Sequence, residues 1–264
     1  MSKRKICILI TLCAIGLLLL WELFGSSLTE SFGDPFVEKS IGMTVTRLLG
    51  SAVFLTIIVF KGYRILNPFK NLGRKLLPCI PALLVVVNNL PIYPLCAGLA
   101  RVETTVWRLL LLGLECFSVA LFEESCFRGV VLTGFLKARR ETKWGQLLSV
   151  LLTSAVFGAV LLFYLFIGSS PVAVLMQIGY SFLIGAMCSV VLFRTGNLWL
   201  CVFLHAVFNF NGQVVPSLGD GIFWEPVTVT VTAALAVFAT AFLTVVFFRM
   251  GREDVDGMYA PSDA

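Results

Sequence analysis

Apolar residues form long blocks along this chain, and short polar segments separate them. A block of about 20 apolar residues matches the length that an α-helix needs to cross a lipid bilayer. Eight blocks approach this length, at 6–24, 41–60, 77–98, 105–122, 145–168, 171–193, 197–213 and 226–248. The pattern predicts an all-α fold, a polytopic transmembrane bundle of about eight helices.

Two segments depart from a simple spanning pattern. The third block, 77–98, contains Pro81, Pro91 and Pro94, and proline interrupts helix interiors. Residues 123–138 continue the fourth block but are amphipathic and end in basic residues. This segment either extends the fourth helix or lies along the membrane interface.

The chain leaves no room for an extramembrane domain, because its longest loops have only about sixteen residues. Residues 1–264 therefore form a single integral membrane domain. The block 6–24 follows three basic residues, but no convincing small-residue cleavage site follows it, and we interpret it as a retained first helix. The tail 251–264 is short and acidic, and we expect it to be cytoplasmic and disordered.

Composition supports the membrane assignment independently. Hydrophobic residues make up 58% of the chain and charged residues 13%, whereas soluble domains have about 45–50% and about 25%. Lipid must therefore be the solvent for much of the surface. The eight cysteines are scattered through apolar segments without a CxxC pair, which is typical of buried residues that pack as small hydrophobes.

The net charge of +5 is distributed by loop, and the distribution predicts orientation. Cytoplasmic loops of membrane proteins carry an excess of Lys and Arg. With the N-terminus cytoplasmic, the cytoplasmic segments hold Lys3, Arg4, Lys5, Lys61, Arg64, Lys70, Arg74, Lys75, Lys137, Arg139, Arg140, Lys143, Arg194, Arg249 and Arg252. This bias predicts an N-in, C-in protein. We therefore expect the basic residues to contact the surface of the lipid bilayer and not nucleic acid.

Ionisable residues inside apolar blocks are costly and usually mark a site. Glu124 and Arg128 are spaced i,i+4 with the acid first, which favours a salt bridge. Glu123 lies about 100° round the helix from Glu124, so the same arginine does not easily satisfy it. A free carboxyl group in a low-dielectric cavity can act as a general base, and Glu123 is therefore the better catalytic candidate.

His205 is the only histidine of the chain, and Asn209 follows it one helical turn later. Both side chains project from one face of the seventh predicted helix. An imidazole and a carboxamide on one face can together stabilise a developing oxyanion. A lone histidine on an apolar helix is otherwise a hydrogen-bonded core residue, and that interpretation stays open.

The remaining intramembrane polar residues have structural interpretations. Glu115 lies seven residues after Arg108, on nearly the same helical face, and the two can pair. Asn88 and Asn89 are typical of residues that form hydrogen bonds between helices.

The sequence predicts no cofactor. It contains no HExxH motif, and one histidine cannot supply the several imidazoles that zinc usually takes. A divalent metal, such as zinc, bound by Glu123, Glu124 and His205 stays an alternative.

Residues 105–212 resemble the core of the CPBP family of intramembrane proteases, also called the Abi or CAAX-protease family. The first family motif is EExxxR, and Glu123–Gly129 reads EESCFRG. The third motif is a histidine followed four residues later by asparagine, as in His205 and Asn209. The run Gly185–Leu200, with RTGNLW at 194–199, also resembles the family's approach to this motif.

The second motif departs from the family pattern. The family has histidine four residues after a phenylalanine, in a phrase like SxxFGxxH. Residues 154–160 read SAVFGAV, but the histidine position is Leu161. Since His205 is the only histidine, no other alignment restores the motif; Tyr164 is the nearest alternative donor.

The resemblance implies an endopeptidase near the cytoplasmic membrane face, and the family has also been described as metal-dependent. Glu123 would activate water, His205 and Asn209 would polarise the scissile carbonyl, and Glu124 and Arg128 would support the cavity. The substrate would be a peptide or a membrane-anchored protein, and the location the cell membrane, as a multi-pass protein. Leu161 leaves the alternative of a catalytically degenerate binding or bacteriocin-immunity protein. A transporter is a third alternative, although no inverted repeat is visible.

Overall fold

The computed structural model describes residues 32–73, 75–76, 79–166, 170–222 and 225–259, with Leu9, Cys13, Leu17 and Leu20. The predicted first helix, 6–24, lies almost entirely outside the described residues. The helices are α1 (Pro35–Lys61), α2 (Ile80–Asn88), α3 (Ile92–Cys96), α4 (Val106–Glu124), a π-helix (Ser125–Leu132), α5 (Thr133–Lys137), α6 (Lys143–Phe166), α7 (Pro171–Thr195), α8 (Leu198–Leu218), α9 (Pro226–Arg249) and α10 (Arg252–Asp256). Two short strands, β1 (Ala100–Val102) and β2 (Gly219–Gly221), pair in antiparallel register.

The all-α membrane fold is confirmed. Within the described residues, five helices are long and apolar enough to cross a membrane, at Pro35–Lys61, Lys143–Leu162, Gln177–Thr195, Leu198–Leu218 and Pro226–Arg249. Each corresponds to a predicted block. The total of eight spanning helices and the N-in, C-in orientation stay predictions.

The third predicted span is wrong as a continuous helix. Its described residues form the nine-residue α2 and the five-residue α3. Pro91 stands at the N-cap of α3, where its ring prevents α2 from continuing because proline has no amide hydrogen and clashes with the preceding turn. Helices of this length do not cross a bilayer.

The segment 123–138 extends the fourth helix and does not lie apart along an interface. α4 continues through the π-helix into α5 without a break in helical backbone angles. Phe127, Leu132 and Leu136 of this extension are buried inside the bundle. Burial against neighbouring helices outweighs the amphipathic pattern, whose polar side includes the buried Arg128.

Helix α1 runs parallel to α4, so both helices begin at the same end of the bundle. Arg108, near the start of α4, forms an ion pair of 2.7 Å with Asp34, the N-cap of α1. One to two turns further along both helices, the Ser40 hydroxyl donates to the Glu115 carboxylate at 2.6 Å. We call the end at which α1 and α4 begin the opposite face, because it lies across the bundle from the basic loops. It also carries β1 and β2.

The basic loops lie together at the other end, the basic face. The carboxylate of Asp254 accepts from both Lys75 and Arg194 at 2.5 Å. Lys143, at the start of α6, donates to the carbonyl of Phe247, near the end of α9, at 3.0 Å. The loops with clustered Lys and Arg residues therefore converge on one surface, as the charge pattern predicted.

The described part of the C-terminal tail is ordered, so the expectation of disorder is wrong for residues 251–259. Val255 and Met258 are fully buried. The Tyr259 hydroxyl donates to the carbonyl of Thr133 at 2.9 Å, and the amide of Arg64 donates to the carbonyl of Met258 at 2.7 Å. The acidic composition suggested a solvated tail, but Asp254 and Asp256 bind basic residues, and Val255 and Met258 enter the core.

Candidate active site

Three of the singled-out residues form a buried ionic cluster at the centre of the bundle. One oxygen of Glu124, Oε1, accepts from Arg128 Nη1 at 3.1 Å and lies 2.7 Å from His205 Nδ1. Glu124 is 0% exposed, Arg128 3% and His205 7%. The predicted salt bridge between Glu124 and Arg128 is present. A dry, close cluster of this kind holds each side chain in one position, because every alternative leaves a charge unpaired.

Glu123 faces away from this cluster and towards a cavity. Its Oε2 lies 3.7 Å from Nε2 of His205, on the side of the imidazole ring away from Glu124. Glu123, His205 and Asn209 all line the same cavity of about 790 Å³. The structure therefore brings the three predicted catalytic residues together on one wall, while Glu124 and Arg128 lie behind it.

A close approach between helix α7 and the π-helix positions Arg128. A Cβ atom on Gly185 would collide with Nη2 of Arg128. The guanidinium also lies 5.9 Å from the centre of the Phe157 ring, and Phe157 lines the cavity. π-Helical turns are rare and often occur at functional sites, and this one starts directly after Glu124.

Leu161 does not line this cavity. Its side chain is 4% exposed and belongs to an apolar cluster with Phe127 and Phe157, against which Cys126 and Ile178 pack. The Phe127 and Phe157 rings lie 4.2 Å apart between centroids. The position that carries histidine in the family pattern is therefore part of a dry hydrophobic contact here. The side chain of Tyr164 lies outside the described residues.

The structure corrects one predicted pair and supports another interpretation. Glu115 does not pair with Arg108; Ser40 is its partner, and Asp34 is the partner of Arg108. The parallel helix α1 supplies both, which the spacing within one helix could not indicate. The two asparagines do bond between elements, Asn88 to Thr232 at 2.9 Å and Asn89 to the carbonyl of Phe208 at 2.7 Å.

The donors on the cavity wall do not match a catalytic zinc site. Such sites use three protein ligands plus water, and Leu161 offers no ligand atom beside Glu123 and His205. A second group of donor atoms, from Glu124, Cys188 and Cys201, is fully buried, and these atoms lie within 4.8 Å of one another. The Arg128 guanidinium already binds Glu124, and its positive charge disfavours the binding of a cation to the same carboxylate. No step is therefore assigned to a metal.

The cavity is closed towards the basic face. Leu132, Val191 and Leu198, at 0%, 0% and 1% exposure, lie on the basic side of the ionic cluster on their respective helices. Below them, the Asn197 amide donates to the carbonyl of Pro68 at 2.8 Å, and the Trp199 indole donates to the carbonyl of Leu66 at 2.8 Å. The RTGNLW segment thus fastens the turn between α7 and α8 to the loop after α1.

Fold and site define a class, a multi-pass helical membrane protein with a carboxylate–imidazole pair in an intramembrane cavity. A family model narrows the class: residues 105–211 match the type II CAAX prenyl endopeptidase Rce1-like family. This match covers the two intact motifs, at Glu123–Arg128 and His205–Asn209, and supports the resemblance to the CPBP or CAAX-protease family. The comparisons with curated proteins and with solved structures gave no match.

Several residues that shape the site carried no clear signal in the sequence. Arg47 and Tyr180 line the cavity, but Arg47 lies in the predicted block 41–60, outside the motifs, and a single tyrosine is unremarkable in a membrane protein. Gly185 is one of several helical glycines, and only the packing shows why a side chain is excluded there.

Proposed function

We propose that this protein is an intramembrane endopeptidase of the CAAX-protease type, located in the cell membrane, that hydrolyses a peptide or a membrane-protein tail. One observation carries the proposal. Glu123 and Nε2 of His205 lie 3.7 Å apart on the wall of a cavity of about 790 Å³, together with Asn209. Cavities of about 300–1,000 Å³ are typical of sites that enclose a ligand.

Glu123 acts as the general base in this proposal. Its carboxylate takes a proton from a water molecule in the cavity as the water attacks the scissile carbonyl, and the proton then passes to the leaving amine. A positioned acid–base group of this kind typically contributes about 10²–10⁴ in rate. The 21% exposure of the Glu123 side chain, against 0% for Glu124, makes Glu123 the carboxylate available to water.

His205 and Asn209 stabilise the oxyanion. The Glu124 carboxylate accepts hydrogen bonds only, so the proton on His205 Nδ1 is committed to it and Nε2 faces the cavity. Nε2 donates to the oxyanion when the ring carries both protons, and the Asn209 amide donates beside it. Glu124 and Arg128 hold the ring in this orientation and do not touch the substrate.

A second candidate function follows from Leu161, which packs against Phe127 and Phe157 without a polar group. In this alternative, the protein keeps the cavity but has lost catalysis, and it acts as a binding or bacteriocin-immunity protein. The family's second histidine would have been the other group that orients the attacking water.

A cleavage assay distinguishes the two candidates. Purified protein in detergent is incubated with a diverse pool of fluorogenic peptides, and wild type is compared with Glu123→Gln and Leu161→His. Two matched controls are Glu103→Gln, a carboxylate on the protein surface, and Leu162→His, the same substitution on a neighbouring exposed side chain.

We expect wild type to cleave the peptides and Glu123→Gln to cleave them about 10²–10⁴-fold more slowly. Glu103→Gln should cleave at the wild-type rate. Cleavage that survives Glu123→Gln would remove Glu123 from the mechanism. If wild type is silent and Leu161→His, but not Leu162→His, gains activity, the non-catalytic function is correct.

A further inference from the structure

The cavity extends from the ionic cluster in one direction only among the described residues. On α8 it is lined by His205, Asn209, Gln213 and Pro216, which lie progressively further from the basic face. On α1 it is lined by Lys39, near the start of that helix. Since α1 begins at the opposite face, this part of the cavity approaches that face.

The residues at this end are accessible. Lys39, Gln177, Gln213 and Pro216 line the cavity and are exposed. They come from α1, α7 and α8, so three helices form the rim of one mouth. On the basic side, by contrast, Leu132 and Val191 are fully buried.

The depth and the lining of the cavity favour an extended chain over a helix. From His205 to Pro216 the helix rises about 16 Å at 1.5 Å per residue. An extended peptide covers this depth with about five residues. Its backbone N–H and C=O groups are free to bond to polar groups of the cavity wall, whereas those of an α-helix are already paired within the helix.

We propose that the substrate is an extended peptide segment that enters from the membrane face opposite the basic loops, through the mouth formed by Lys39, Gln177 and Gln213. Calling the bound segment a substrate rests on the proposed function, whereas the access route rests on the geometry of the cavity alone. If the basic face is cytoplasmic, the segment comes from the non-cytoplasmic side. That differs from cleavage near the cytoplasmic face, which the family resemblance implies.

Polar groups along the route suit a peptide backbone. Gln177 and Gln213 each offer an amide donor and an acceptor at the mouth, and Asn89 and Asn209 line the deeper part. The charged groups that face the cavity are balanced, with Lys39 and Arg47 against Glu115 and Glu123. Met43, Val119, Ile184 and Phe208 provide apolar surface for side chains. The lining therefore combines backbone recognition with pockets for uncharged residues.

Cysteine accessibility tests the route without relying on activity. Gln213→Cys, at the mouth, and Ser181→Cys, deeper in the cavity, are labelled with membrane-impermeant thiol reagents in intact cells and in inverted vesicles. Peptide mass spectrometry identifies the labelled site, and the wild-type protein gives the background from native cysteines. Arg139→Cys, at the basic face, is the matched control.

We expect Gln213→Cys to react from outside the cell and Arg139→Cys only in inverted vesicles. A small charged reagent should reach Ser181→Cys from the same side as Gln213→Cys, whereas a maleimide linked to polyethylene glycol should react at Gln213→Cys only. Reaction of Gln213→Cys and Ser181→Cys from the side that labels Arg139→Cys overturns the proposal.

Activity provides the second readout. Proteoliposomes that hold the protein in one orientation, set by the labelling result, are given the fluorogenic peptide pool from one side. Cleavage should occur only from the side of Gln213, and modification of Gln213→Cys by the bulky reagent should abolish it. If no peptide is cleaved in any orientation, the proposed function fails while the labelling result still decides the access route.

Discussion

At the scale of single residues, Glu124 is the common partner of two basic groups buried beside it, Arg128 and His205. Its Oε1 serves both Arg128 and His205, whereas its Oε2 is buried without a hydrogen-bond partner among the described residues. The carboxylate therefore depends on two cationic or hydrogen-bonding neighbours to stay in a region without water. Removing either neighbour leaves a buried charge without compensation.

Arg128→Ala tests this dependence. We expect it to lower the free energy of unfolding by about 3–5 kcal/mol, the usual cost when one partner of a buried ion pair is removed. The measurement is a denaturant titration of the protein in mild detergent, followed by the loss of helical circular dichroism.

The control for this substitution is Arg101→Ala. Arg101 also pairs with a glutamate, Glu103, but their side chains are 69% and 74% exposed. Exposed pairs contribute little because water solvates both groups, so this variant should match wild type. Equal stability of the two variants would show that the buried cluster is not what stabilises the bundle.

At the scale of secondary-structure elements, the contact between α7 and the π-helix decides where Arg128 lies. Gly185→Ala places a Cβ where Nη2 of Arg128 is. The guanidinium lies at the end of a flexible side chain, but Glu124 holds it, so the ion pair must give way. We expect reduced stability and, if the protein is a protease, a clear loss of cleavage rate, since His205 shares the same Glu124 oxygen.

Gly179→Ala is the matched control on the same helix. A Cβ at Gly179 meets no atom within 4 Å, and alanine is favoured over glycine in a helix interior by about 1 kcal/mol. This variant should be as stable as wild type or more so. Thermal denaturation of both variants in the same detergent gives the comparison, and a loss in Gly179→Ala equal to that in Gly185→Ala would contradict the packing argument.

At the scale of the whole molecule, α10 links parts of the chain that are far apart in sequence. Asp254 on this helix binds Lys75 from the loop before α2 and Arg194 from the end of α7. Burial raises the pKa of the Asp254 carboxyl, but the hydrogen bonds from Lys75 and Arg194 outweigh this effect and hold its pKa below the usual range. Folding therefore favours the ionised form.

Asp254→Asn should lower the free energy of unfolding by about 1.5–3 kcal/mol at pH 7, the usual size of a hydrogen bond to a charged group. Because the pKa is lower in the folded state, the stabilising effect is present above the unfolded value near 4 and disappears as the pH falls through the folded value. The difference between wild type and variant should be constant from about pH 5 to 8 and shrink below about pH 4.

Glu253→Gln, at the neighbouring exposed position of the same helix, is the control for this series. It removes one negative charge from α10 without touching Lys75 or Arg194. For each variant, the difference in free energy of unfolding from wild type is measured against pH. If the two variants show the same pH dependence, the effect comes from the net charge of the tail and not from the two ion pairs.

The motifs predicted which residues lie close together better than how these residues pair. The i,i+4 spacing of Glu124 and Arg128 predicted their salt bridge because both lie on one helical face. The contact of His205 with Glu124 joins residues 81 positions apart, and no local pattern indicates which of two adjacent glutamates an imidazole will meet. For the same reason the pair assigned to Glu115 and Arg108 was wrong.

The sequence by itself determined the solvent, the secondary structure and the arrangement of charge. Long apolar blocks can only be helices in lipid, because every backbone group must be satisfied within its own segment, and five blocks are helices of the expected length. Clustered lysines and arginines share one face because they occur in alternate loops, and alternate loops of a spanning chain lie on the same side of the membrane.

Only the tertiary structure decided which groups share the cavity, where it opens and that residues 251–259 are ordered. These features depend on contacts between helices, such as Gly185 against Arg128 and Asp254 against Arg194. The energy of such contacts depends on the positions of both partners, and a pattern read along one segment contains no information about the other.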